Sequence, residues 1–147
     1  MRLILTLLLT LFSVSATVAN AENLTIICPA PSGWSFGYEK PGEPEMGVDG
    51  FAGATFTYSW KFGTNQATII TQSSSTAGGD PTKETAGVIT SDDFVTFFVF
   101  YSKALWTHSY FLGPEVMIIS KHATGRGPYS DSASGSIFHS KCRASLK

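Results

Sequence analysis

The stretch Ala54-Thr55-Phe56-Thr57-Tyr58-Ser59-Trp60-Lys61-Phe62 alternates apolar or aromatic residues with small polar residues and one lysine. Period-two spacing of this kind specifies a β-strand with one face on a core and the other in water. A slip of one residue would turn every ring outward, so the pairing register is strongly specified. Gly63-Thr64-Asn65-Gln66 reads as a tight connection and 67–73 as the returning strand.

The same pattern recurs downstream. Segment 74–85 is polar, with Gly78-Gly79-Asp80-Pro81 at its tip, and reads as a surface loop before a short strand over 86–90. The run from Phe94 to Tyr101 places Phe94, Thr96, Phe98 and Phe100 on one face and Val95, Phe97, Val99 and Tyr101 on the other. Both faces are apolar, so the strand is either covered on both sides or offers its outer face to a partner or ligand. Asp92, Asp93 and Lys103 flank it as charges that discourage aggregation. Strands are expected over 105–112 and 115–122, with Pro114 at the turn, where its missing N–H removes no ladder bond. A glycine- and serine-rich loop over 124–134 carries Tyr129, and 136–142 is the last strand.

Segment 29–49 holds Pro29, Pro31, Pro41 and Pro44 among several glycines, and reads as irregular apart from one strand around Trp34. No helical periodicity of useful length follows residue 21. The expected fold is all-β: a single-domain antiparallel meander, either a small β-barrel or a β-sandwich, closed by one disulfide.

The segment 1–21 has the three parts of a secretory signal peptide. Met1-Arg2 is the basic start, Leu3 to Ala16 is largely apolar, and Ala19-Asn20-Ala21 offers small residues for cleavage. The mature domain is therefore expected over 22–147, secreted or periplasmic after cleavage near Ala21. In an oxidising compartment Cys28 and Cys142 read as one disulfide tying the first strand to the last. Closing so long a loop is worth about 4–5 kcal/mol in the chain-entropy account. The bulky Ile27 before Cys28 argues against a lipid anchor. A net charge of −1 with no basic stripe excludes a nucleic-acid partner. Most segments are too short for an outer-membrane barrel, so no stable membrane insertion is expected.

Catalytic signatures are absent: there is no Gly-x-Ser-x-Gly, His-Glu-x-x-His, phosphate-cradling glycine loop or Cys-x-x-Cys. If the 124–134 loop joins a hairpin centred near Ser130, His122 and His139 fall almost opposite each other. With Asp131 they are weak candidates for a metal site, and with Ser130 and Ser132 for a hydrolytic one. The plainer reading is a pair of half-exposed strand histidines, with no cofactor and no enzyme activity.

Aromatic residues form the more informative population. Trp34, Phe56, Tyr58, Trp60, Phe97, Tyr101, Trp106 and Tyr129 suit either an ordinary β core or a ligand site in the mouth of a barrel. An enclosed cavity lined by Trp60 and Phe56 would mean a ligand carrier, and a solid core an interaction module. The expected function is an exported, non-catalytic β-domain binding an apolar small molecule or a protein surface. The alternatives are a protein inhibitor or surface-interaction module presenting the 124–134 loop, and an enzyme using His122 and His139. In Ser32-Gly33-Trp34 the glycine directly precedes the tryptophan, which is not the lipocalin spacing, and the sequence supports no family assignment.

Overall fold

The computed structural model describes residues 22–40, 43–72, 81–124 and 133–147. The expected signal peptide and Tyr129 lie outside these. Among the described residues the strands are β1 (Asn23–Pro29), β2 (Ser32–Lys40), β3 (Glu43–Gly50), β4 (Thr55–Lys61), β5 (Gln66–Gln72), β6 (Thr82–Thr90), β7 (Phe94–Tyr101), β8 (Ala104–Phe111), β9 (Val116–Thr124), β10 (Ala133–Lys141) and β11 (Arg143–Leu146). They form one sheet in the order β11-β1-β4-β5-β6-β7-β8-β9-β10-β2-β3, and every pairing is antiparallel.

The registers show how this sheet curls into a nearly closed barrel. β1 pairs with β11 from Leu24↔Leu146 to Ile27↔Arg143, and β2 pairs with β10 from Ser32↔His139 to Gly37↔Ser134. β1 and β2 are thus two halves of one long run, interrupted at Ala30-Pro31. β10 and β11 are two halves of another, interrupted at Cys142. The last run of the chain therefore returns to pair with the first. At the junction the next step of the β1–β11 register brings Cys28 against Cys142, which are disulfide-bonded with Cα atoms 4.3 Å apart. Such a separation suits directly opposed residues of a non-hydrogen-bonded pair. Ser140 Oγ donates to the Pro29 carbonyl, and the Cys142 amide donates to the Glu115 carbonyl at 2.9 Å.

The inward faces fill the barrel. Leu24, Ile26, Phe56, Tyr58, Trp60, Ile69, Val95, Phe97, Val99, Tyr110, Met117, Ile119 and Phe138 form a single buried cluster. The rings interlock: Tyr58 stacks on Phe97 at 5.1 Å between centroids. Phe51, in the bend between β3 and β4, caps one end of the core against Phe56, Trp106 and Phe138. The alternation over Ala54 to Phe62 is realised, with Phe56, Tyr58 and Trp60 inward and Thr57, Ser59 and Lys61 outward.

Three expectations are corrected. The strand expected over 136–142 is not the last: β10 ends at Lys141, and β11 follows Cys142. The segment 29–49 is more regular than expected: the strand read around Trp34 to Tyr38 is present as β2, and most of β3 occupies the part read as irregular. Of its prolines, Pro29 falls at the end of β1, Pro31 between β1 and β2, and Pro44 in β3, which ends the sheet, where a missing N–H costs no essential ladder bond; Pro41 lies outside the described residues. Gly33 lets β2 approach β10 closely: a Cβ there would sit 1.9 Å from the Ile137 carbonyl oxygen. The loop expected over 74–85 also ends early, since β6 begins at Thr82 and its first residues pair with β5. The polar run Thr82 to Thr85 is only lightly buried, so it shows no alternation of hydrophobicity to read.

Replacing both cysteines (Cys28→Ser with Cys142→Ser) is expected to lower the unfolding free energy by about 2–5 kcal/mol. Urea unfolding of the two proteins measures this, and amide exchange should show β11 losing protection before β7 and β8.

Candidate functional site

One end of the barrel is built from the start of β1, the end of β4, the ends of β6 and β8, the starts of β7 and β9, and β11. Together they enclose an open basin of about 550 Å³. Leu24, Trp60, Val95 and Tyr110 form its nearly buried floor. Phe62, Leu112 and Leu146 stand at its rim and are 40%, 42% and 58% exposed. The Trp60 indole N–H donates to the Thr64 carbonyl at 2.8 Å, which fixes the ring, and Phe62 packs on it with centroids 4.7 Å apart. The polar component comes from Thr90, Ser91, Glu115 and Ser145. An apolar floor with a few peripheral polar groups is the usual make-up of a ligand site in a barrel mouth.

The other expected aromatics are dispersed. Phe56, Tyr58 and Phe97 are buried in the core and do not line this basin. Tyr101 and Trp106 line a second depression of about 410 Å³ at the opposite end, with Lys103, Ala104, Ala123 and Thr124. Tyr101 donates its hydroxyl hydrogen to the Glu84 carboxylate. Desolvation, with the bond to Glu84 and its charge, pushes the phenol well above its ordinary range. Trp106 stacks on His108 and lies under the Lys121 ammonium, 5.1 Å from the ring centroid. Trp34 is on the outer surface of β2, 54% exposed.

β10 pairs with β9 so that Gly135 faces His122 and Ile118 faces His139. The expected facing of the two histidines does not occur. They sit four residues apart along the ladder, a separation on the order of 13 Å. The hairpin axis falls two residues earlier than the loop composition suggested. Among the described residues no group of three or more His, Cys, Asp or Glu is placed to hold a metal ion.

The sequence reading missed His108. It lies at the centre of the barrel, 3% exposed, with its Nδ1 2.8 Å from the Tyr58 hydroxyl. Desolvation lowers the imidazole to about 4 and raises the Tyr58 phenol. A single histidine within the alternating segment Leu105-Trp106-Thr107-His108-Ser109-Tyr110 carries that signal, because Trp106, His108 and Tyr110 share one face.

No protein-family model matches the chain, and no curated protein matches it.

The buried imidazole gives a prediction with a definite sign. An unfolded histidine titrates near 6.5, so between pH 6.5 and pH 4 the unfolded chain binds a proton the folded one refuses. Stability conferred by neutral His108 is present above pH 6.5 and is lost as pH falls to about 4, by ~3 kcal/mol in all. Replacing both partners (Tyr58→Phe with His108→Phe) should remove this component from the stability-versus-pH curve. Tyr58→Phe alone should cost about 1–3 kcal/mol at pH 7 by stranding the imidazole.

Proposed function

We propose that this protein is an exported, non-catalytic binding module that takes an apolar group of a small molecule into the basin at the Trp60 end of its barrel. The observation that carries the reading is the contrast between interior and mouth. The interior holds the packed rings of Phe56, Tyr58 and Phe97, and Tyr110 is buried in the same core. The mouth instead leaves Phe62, Leu112 and Leu146 partly in water around a pre-formed concavity. Burying such side chains gains roughly 25 cal/mol per Å² of apolar surface, without any need for the core to open.

Export fits the leader-like segment 1–21 and the Cys28–Cys142 disulfide, a bond suited to an oxidising compartment. The outer face of β4 carries Thr55, Thr57, Ser59 and Lys61, which interrupts any continuous apolar girdle around the barrel. No helix among the described residues is long and apolar enough to cross a membrane. The inhibitor reading placed on the 124–134 loop falls mostly on residues outside those described.

The test uses tryptophan fluorescence in a Trp34→Phe/Trp106→Phe background, so that Trp60 alone reports. A brominated fatty acid should quench Trp60 saturably in the micromolar range. Phe62→Asp combined with Leu146→Asp should weaken this by about tenfold or more. Quenching that is unsaturable, or unchanged by the rim substitutions, would refute the basin as a binding site.

A further inference from the structure

The β2–β3 hairpin lies at the end of the barrel away from the basin. β3 pairs with β2 on one side and ends the sheet on the other, facing no strand among the described residues. Its two faces differ in chemistry. On the outer face Val48, Trp34 and Ile137 form one row across β3, β2 and β10, and Met46 and Phe36 begin the next. These side chains are all exposed, Met46 at 73% and Val48 at 77%. Phe36 lies over Gly135, so the rows are continuous with the sheet beneath.

The inner face of the hairpin is acidic and roomy. Glu45, Gly47 and Asp49 alternate along β3 and line a trough of about 400 Å³ with Lys121, the small residues Ser35, Gly37, Ser134 and Ser136, and also Phe36 and Met46. A Cβ placed on Gly47 would meet no atom within 4 Å. Glu43, Glu45 and Asp49 make β3 the most acidic strand of the sheet, and it contains no lysine or arginine.

We propose that the free edge of β3 is a docking site for an extended peptide segment in which apolar and basic residues alternate. Such a segment adds to the sheet as a further strand. Its backbone satisfies the unpaired edge, its apolar residues extend the Met46–Val48 row, and its lysines or arginines lie over the small trough residues to reach Glu45 and Asp49. The charge pattern selects this occupant over a second copy of the chain. In an antiparallel β3–β3 pairing centred on Gly47, Glu45 of each copy would oppose Asp49 of the other, and like charges directly opposite destabilise a ladder.

The experiment titrates the full mature protein with an acetylated, amidated peptide of alternating valine and lysine, and with its valine–glutamate counterpart. Amide NMR shifts are the readout. The valine–lysine peptide should bind about tenfold more tightly. Shifts should be confined to β3 and the facing residues of β2, and the preference should shrink as salt rises. Glu45→Lys should reduce or reverse the preference. Asp49→Asn, which keeps an acceptor for the Gly50 amide, should weaken it without disturbing the hairpin. Equal binding of the two peptides, or shifts located elsewhere, would overturn the proposal. So would a concentration-dependent dimer abolished by Val48→Glu, because β3 would then be occupied by a second copy.

Discussion

The junction at Cys28 and Cys142 is the constraint on which the rest depends. β1–β2 and β10–β11 form two long antiparallel runs, and the disulfide sits where both are interrupted. Without pairing across this junction the sheet would have an open edge at β1, and the cluster of inward rings would face water along one side. The covalent bond acts chiefly on the unfolded chain by removing loop entropy, while the ladder on either side supplies the native pairing. Ser140 and the Cys142 amide add local bonds that hold the run as it passes from one partner strand to the other.

From this closure follows a division of labour between inside and outside. The interior is committed to packing. The one buried imidazole within it is hydrogen-bonded to a phenol and makes the fold sensitive to acid. The exposed apolar surface gathers at the two ends. At one end β11 and the turns raise Phe62, Leu112 and Leu146 around a basin, and at the other the β2–β3 hairpin leaves an edge and an apolar face in water. β7 shows the same division on a single strand. Val95, Phe97 and Val99 are buried, while Phe100 on the opposite face is 72% exposed. Its two-sided hydrophobicity thus marks a half-exposed outer surface and not a doubly covered strand.

Legibility in the sequence followed amphipathicity. Where one face met the core and the other met water, as in β4, β8 and β9, alternation placed the strands to within about two residues. It failed in the first half of β6, where both faces are polar, and over most of β2 and β3, where the apolar residues Trp34, Phe36, Met46 and Val48 face water and the inward positions are small or charged. There pairing is enforced by neighbours and glycine contacts, not by any hydrophobic period. The candidate site was legible only in part. Trp60 and Phe62 were visible as aromatics of a strong strand, but nothing local joins Phe62 to Leu112 and Leu146, and the three become a rim only because distant strand ends meet there.

The sequence by itself determined the fold class, the disulfide partners and the inward identity of Phe56, Tyr58 and Trp60, because these depend on local period and on there being only two cysteines. Only the tertiary structure decided barrel over sandwich, the separation of His122 from His139, the burial of His108 against Tyr58 and the exposure of the β3 edge. Each depends on the register and curvature of strands far apart in the chain. A shift of one residue in either would move every one of these side chains to a different neighbour.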